Sequence, residues 1–224
     1  MILAVRDLTK IYQMGEVAVH ALDKITLTVR QGEFCAIMGP SGSGKSTLMH
    51  CAGLLERPTS GQVFFKERDV TLLPDGEQSY IRLFSFGFVF QDYALIPELT
   101  ALENVLLPAF AAGNSEYQAR VAGYDALTQV GLYDRAEHLP RELSGGEQQR
   151  VAVARGLVNR PLIIFADEPH ANLDSENSRL ILELFRTICD NEGITIVMVT
   201  HEEEDRQYLD RIIRLRDGRI IKKE

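Results

Sequence analysis

The chain has 224 residues, 45 % of them hydrophobic and 25 % charged, with a formal net charge of −8. That length suits one domain, or a core with a sizeable insertion, that buries its own apolar interior without metal or disulfide support. The acidic balance counts against an extended nucleic-acid surface, no apolar run approaches the roughly 18 residues of a membrane span, and "MILAVRDLTK" lacks a secretory pattern. Three scattered cysteines, Cys35, Cys51 and Cys189, without CxxC spacing fit a reducing compartment and core packing. A cytoplasmic protein is expected, with any membrane role running through a partner.

The first thirty residues break into short apolar stretches ("ILAV", "ITLTV") between polar turns, which predict strands of an antiparallel sheet. "FCAIM" (34–38) predicts a buried strand running into a glycine loop, with a helix from Lys45 to about Leu55. "TSGQVFF" predicts a turn and a strand, and "FGFVF" (86–90) a further buried strand that Gln91 ends. From about 92 to 160 the pattern turns helix-periodic, in "ALENVLLPAFAAG", "YQARVAGYDALTQVGL" and "GGEQQRVAVARGLV". "LIIFAD" (162–167) and "ITIVMVT" (194–200) return as buried strands, with a helix over "SRLILELFRTICDNEG" between them. Apolar strands alternating with helices predict an α/β core with a parallel sheet, into which the central helical block is inserted.

Gly39-Pro40-Ser41-Gly42-Ser43-Gly44-Lys45-Ser46 matches G-x-x-x-x-G-K-[ST] between a predicted strand and a predicted helix. Such a loop wraps its backbone N–H groups round an anion, and the following helix aims its positive end at the same phosphates. Lys45 would reach the β- and γ-phosphates and the Ser46 hydroxyl would bind Mg²⁺. "LIIFADE" puts Asp167 and Glu168 at a strand's C-terminal end, where ligands sit in open α/β sheets. Asp167 is placed to hold Mg²⁺ and Glu168 to polarise an attacking water. His201 closes the next apolar strand and would arrive near the γ-phosphate if the two strands are neighbours. Gln91 could reach Mg²⁺ or the water. Taken singly, each of these three residue types is more often structural or solvated. "HEEED" is not a zinc motif, since position 205 is Asp, and the other histidines (20, 50, 138 and 170) lack ligand spacing. Mg²⁺ and no structural metal are expected.

"RELSGGEQQR" (141–150) adds a second glycine pair. Ser144 and Glu147 have capping-box spacing, which explains a helix start but not Gly145 and Gly146. Two glycines in a first turn cost up to about 1 kcal/mol each relative to alanine, and what they offer is bare N–H groups that an anion can approach. The first cradle already holds a triphosphate. The second therefore faces a different phosphate, or the same phosphate of another molecule.

"LSGGEQQR" resembles the signature motif of ATP-binding cassette (ABC) proteins, and the set of motifs falls in that family's order over essentially the whole chain. The resemblance implies a RecA-like P-loop NTPase core (1–91 and 161–224) with an N-terminal antiparallel β subdomain and an inserted helical subdomain (92–160), together one nucleotide-binding domain. Tyr12 stands where the family stacks an aromatic on adenine. Gly39, Ser41, Gly42, Gly44, Lys45, Ser46 and Thr47 match its nucleotide-binding loop, and Gln91 its Q-loop. Two copies are expected to meet head to tail round two ATP, with Ser144, Gly145, Gly146 and Glu147 facing the partner's γ-phosphate and Asp174, of "NLD", at the seam. Separate permease subunits would dock near Tyr93–Pro97, where Tyr93, Leu95, Ile96 and Pro97 are expected to be exposed, placing the protein on the inner face of the membrane.

Within the family, "YQMGEVAVHAL", "GLLERPTSG", "LIPELTALENV" and the "NLD" ending resemble the lipoprotein-releasing and macrolide-exporting branch, and the expected function is an ATPase that drives a permease. That branch usually reads "DEPTGNLD", whereas this chain has His170-Ala171, which spares Glu168 and Asp174. A soluble ABC ATPase acting on nucleic acid or the ribosome is the alternative. It is disfavoured because the chain has neither fused cassettes, a coiled-coil insertion nor basic segments. A P-loop kinase would leave Ser144-Gly145-Gly146 without a purpose.

Overall fold

The computed structural model describes residues 1–15 and 17–223, with the side chains of all of these except Met14, Lys222 and Lys223. Glu16, within the "YQMGEVAVHAL" stretch, lies outside the described residues. The elements in chain order are β1 (Leu3–Met14), β2 (Val17–Val29), β3 (Phe34–Met38), α1 (Lys45–Ala52), β4 (Ser60–Phe65), β5 (Arg68–Asp69), α2 (Asp75–Ser85) and β6 (Phe86–Val89). There follow α3 (Ala101–Ala111), α4 (Glu116–Gln129), α5 (Gly145–Leu157), β7 (Ile163–Asp167), α6 (Ser175–Glu192), β8 (Thr195–Thr200), β9 (Arg211–Arg216) and β10 (Arg219–Lys223).

Two sheets organise them. An antiparallel sheet has the order β2-β1-β4-β5, and a six-stranded sheet the order β10-β9-β3-β8-β7-β6. In the larger sheet all pairings are parallel except β10 with β9. Its central strands are apolar apart from Asp167 at the end of β7 and Thr195 and Thr200 at the ends of β8, because both faces are covered. Successive side chains serve opposite cores: Phe34, Ala36, Met38, Ile164, Ala166, Ile196 and Met198 join the core shared with α3–α6. Cys35, Ile37, Ile163, Phe165, Val197 and Val199 join the core shared with α1 and the antiparallel sheet. All three cysteines are buried, and burial pushes the Cys35 and Cys51 thiols up to about 12, so they pack rather than react.

The helical block has its own start signals. Thr100, Ser115 and Ser144 each cap a helix with a reciprocal bond from the third residue in. Three features depart from the sequence reading. Helix α1 stops at Ala52 rather than near Leu55, with Leu54 already at φ 59. Strand β6 ends at Val89, two residues before Gln91. Helix α2 and strands β9 and β10 had no clear signature: α2 buries only Gln78, and the apolar residues of β9 are interleaved with arginines.

The helical block meets the core where α5 crosses β6. A Cβ added to Gly87 would run into the carbonyl of Gly156 and come within 3.3 Å of Ile164. Gly87→Ala should therefore force α5 away from the sheet and cost about 1–3 kcal/mol, the usual penalty of overpacking, read as a lower urea midpoint for unfolding of the whole chain.

Candidate functional site

Three strand ends build the site. Strand β3 pairs with β8 and β8 with β7, all parallel, so their C-terminal ends leave the sheet at one edge. From β3 the chain enters the 39–44 loop and α1. From β7 it reaches Asp167 and Glu168, and from β8 Thr200 and His201.

The loop is shaped for close packing. Gly44 has φ 97, and a Cβ there would collide with the carbonyl of Ala21, so only glycine fits on both counts. Lys45 is buried and turns its ammonium back on the loop, donating to the carbonyls of Gly39 at 3.0 Å and Pro40 at 3.1 Å. Ser43 Oγ is buried without a hydrogen-bond partner. Ser41 and Gly42 are exposed, and the N–H groups of the first turn of α1 are the unpaired donors of a helix start.

Opposite this loop, Ser46 Oγ donates to Asp167 Oδ1 at 3.0 Å, and His50 Nε2 lies 3.8 Å from Asp167 Oδ2. Burial pushes the Asp167 carboxyl above its ordinary value, against the pull of Ser46, His50 and Lys45. The neighbouring Glu168 sits at φ 44, a left-handed conformation that costs a non-glycine residue about 1–2 kcal/mol. Its N–H donates to Val199 at 3.0 Å, and its Oε1 lies 3.3 Å from His201 Nδ1. Two oxygen donors converging at 3.0 Å, one a desolvated carboxylate, suit a hard divalent cation. Gln91 is exposed, and its backbone carbonyl accepts from Asn172 Nδ2 at 3.1 Å; among the described residues no hydrogen bond joins its side chain to Ser46 or Asp167.

Tyr12 reaches this end from β1. Its hydroxyl donates to Glu56 Oε2 at 2.6 Å and Lys10 Nζ stands 5.0 Å from its ring centroid. Burial, then Glu56, raises the phenol, while a bond with the Thr47 hydroxyl lowers it.

The second glycine turn is arranged differently. Ser144 Oγ accepts from the Glu147 N–H, and Glu147 Oε2 accepts from the Ser144 N–H at 2.8 Å, with Arg135 3.3 Å from the other carboxylate oxygen. Those bonds from Ser144 lower the Glu147 carboxyl. Gly146 is buried, and a Cβ there would overlap the Asn177 side chain of α6. That glycine thus also makes room for Asn177 within a single chain, a role beside the anion access expected from the sequence. Ser144 is exposed and Gly145 half-buried. Asp174 caps α6, accepting from the N–H of Asn177 at 2.9 Å and from its side chain at 2.7 Å.

The segment after Gln91 corrects a second expectation. Of the four residues expected to be exposed there, Ile96 and Pro97 are; Tyr93 and Leu95 are half-buried, Leu95 against the helical core. Arg155 of α5 donates to the carbonyls of Tyr93 and Ala94, both at positive φ, and the buried Asn104 bonds the backbone of Ile96, Leu99 and Thr100. These two side chains satisfy the loop's backbone and draw it onto the helices. Beside it runs a groove of about 610 Å³ lined by Leu55, Leu83, Phe88, Phe90, Ala94 and Arg155. No spacing rule points to Arg155 or Asn104, since both act on residues outside their own helices. His170, without ligand spacing in sequence, is gathered with Glu202 and Asp205 by the fold.

A family model described as ABC transporter matches residues 22–171. The chain belongs to the ABC transporter family. It is an ATP-hydrolysing cassette, the nucleotide-binding subunit that drives a membrane permease. Among similar proteins is the lipoprotein-releasing system ATP-binding protein LolD of Geobacter metallireducens, 48 % identical over 98 % of both chains. The macrolide export ATP-binding/permease protein MacB of Chlorobaculum tepidum is 46 % identical over 96 % of this chain and 33 % of that relative. The dimeric ATP-binding cassette MJ0796, solved in a post-hydrolysis state with ADP and Pi, superposes with a TM-score of 0.92 at 42 % identity, covering 100 % of this chain and 98 % of that one. No helix of the described residues is long and apolar enough to cross a membrane.

The burial of Asp167 gives the cassette a measurable cost. Its folded carboxyl is raised above the unfolded value, so the charge opposes folding at neutral pH, and this cost fades as pH falls through the raised value and is gone below the ordinary one. Asp167→Asn should melt higher than the parent at pH 7 without nucleotide. The two melting temperatures should converge below about pH 3.5, near the ordinary Asp pKa. Scanning calorimetry across pH checks the sign.

Proposed function

We propose that the cassette closes as a head-to-tail pair in which each ATP lies between the phosphate loop of one copy and the signature turn of the other. The observation that carries this reading is the second anion-shaped turn at Ser144–Gly145. Ser144 is exposed at a helix start, and its capping bonds with Glu147 lie within the helical block. Dimeric structures of MJ0796, at 42 % identity, support it.

The adenine stacks on Tyr12. The N–H groups of Gly39, Ser41, Gly42, Gly44 and Thr47 line the phosphates. Lys45 leaves the Gly39 and Pro40 carbonyls for the β- and γ-phosphates, a short swing for an ammonium already buried at the loop. Ser46 and Asp167, joined by Gln91, would hold Mg²⁺. When bound, that ion neutralises charge on the β- and γ-phosphate oxygens. Glu168 takes the proton from the attacking water, and His201, already 3.3 Å from it, orients Glu168 and contacts the γ-phosphate. Ser144, Gly145 and Gly146 donate to the partner's γ-phosphate, with Glu147 pinning Ser144 in place. Asp174 and the neighbouring Asn172, which bonds the Gln91 carbonyl, tie this seam to the loop that follows β6.

The permease docks near Tyr93–Pro97, at the groove whose lining includes Leu55, Phe88 and Ala94, with the exposed Ile96 and Pro97 following Ala94 along the chain. The partner is a permease of the lipoprotein-releasing or macrolide-exporting kind, as the names of the relatives suggest, and the cassette lies at the inner membrane surface through it.

Glu168→Gln should bind ATP, lose about 10²–10⁴-fold in hydrolysis, as expected for removal of a positioned base, and accumulate as a dimer with ATP and Mg²⁺. Light scattering that finds only monomer at saturating ATP would sink the shared-site reading. Lys45→Ala should lose ATP binding and with it the dimer, measured by titration with a fluorescent nucleotide. Tagged Glu168→Gln, purified from detergent-solubilised membranes with ATP present, should bring down a multi-spanning protein. Ribosomal proteins or nucleic acid in its place would favour the soluble alternative.

A further inference from the structure

His170 stands two residues after the strained Glu168 and two before Asn172, and it is 3 % exposed. Its Nε2 lies 2.9 Å from Asp205 Oδ2, and Thr200 Oγ1 donates to the same oxygen at 2.6 Å. Asp205 is itself 2 % exposed, and the Glu202 N–H donates to Thr200 Oγ1 at 3.1 Å. The carbonyl of His170 accepts from the Leu173 N–H at 3.0 Å and from the Ser178 hydroxyl of α6 at 3.4 Å.

This network has a particular place in the fold. One arm is the segment that runs from Glu168 to the Asp174 cap. The other is the turn that runs from Thr200 through His201 to Asp205. The two arms are joined by the Glu168–Val199 backbone bond at the sheet edge and by His170–Asp205 farther out, and the Glu168–His201 pair lies between those ties. A left-handed glutamate persists only where its surroundings over-determine it, and the buried pair supplies the second fixed point. We propose that His170 is a positioning residue, which through Asp205 and Thr200 holds the His201 turn against the Glu168 arm and so sets the alignment of acid and histidine for hydrolysis.

The same atoms could be read as a cation site, since His170, Glu202 and Asp205 offer three ligands within 4.8 Å of one another. The bonding favours the strut: Asp205 Oδ2 already accepts from both His170 and Thr200, which leaves that oxygen satisfied without an ion. The charged groups facing the imidazole are all acidic: Asp205 and Glu202 from the turn after β8, and Glu168 from the arm after β7. Burial alone would lower the His170 pKa, but these carboxylates raise it above the ordinary histidine value. The imidazolium–carboxylate pair is thus charged below the raised value and loses that charge as pH rises through it, leaving a neutral imidazole that still donates from Nε2.

The proposal rests on the assignment of Glu168 and His201 above, and the experiment separates the two. Steady-state ATPase of the purified chain is measured from pH 6 to 9 for the parent, H170A, H170Q, D205N and E168Q. H170A should lose about tenfold in kcat with KM for ATP changed less than twofold. H170Q carries an N–H near the position of Nε2, so it should recover to within about threefold of the parent near pH 7 and lose the alkaline decline that His170 imposes. Imidazole resonances followed by NMR should place one of the five histidines above the ordinary value, and D205N should bring it down. Melting curves and nucleotide titrations confirm that each variant folds and binds ATP. If E168Q hydrolyses ATP like the parent, the catalytic assignment has failed. If E168Q is inactive while H170A matches the parent, or if H170Q falls as far as H170A, the positioning role alone is overturned.

Discussion

Parallel pairing of β3, β8 and β7 is the constraint on which the rest of this cassette depends. Parallel ladders put like ends together, so the phosphate loop, the Asp167–Glu168 pair and His201 must emerge side by side. The pairing survives because both faces of the sheet are covered, and each central strand splits its side chains between two cores. A charge introduced at any of those positions would strike the site through the scaffold rather than through chemistry.

At the end of that scaffold the chain keeps groups that disfavour the nucleotide-free state. Asp167 is a carboxylate raised by burial, Glu168 has a left-handed backbone, and Ser43 has a buried hydroxyl without a partner. Lys45 is held by carbonyls of its own loop. The surrounding core provides the stability that these groups give up. The helical block shares an apolar core with the larger sheet, and polar side chains add to that link. Arg155 holds the loop after Gln91, Asn172 holds Gln91, and Asn177 meets both Gly146 and Asp174. These contacts put α5, the loop beside the groove and the turn at Ser144 into one connected set of residues.

The motif-bearing parts were legible in the residues because each depends on local backbone chemistry. The phosphate loop needs glycines at fixed offsets, the strands need unbroken apolar runs, and the capped helix starts need Ser or Thr with an acid or amide three residues on. Helix α2 and strands β9 and β10 were not legible. Their periodicity is interrupted by polar and charged residues, and they gain their place from neighbours rather than from propensity.

By itself the sequence determined the family, the strand–loop–helix at Lys45, the acidic strand end at Asp167–Glu168 and the glycine turn at Ser144, since these are properties of short segments. Tertiary structure alone decided that Gly146 leaves room for Asn177, that Tyr93 and Leu95 are drawn inward by Arg155 and Asn104, and that His170 meets Asp205 across 35 residues. The physical reason is the same in each case. Those roles are contacts between different parts of the chain, and only the packing of the sheet and helices brings the partners within reach.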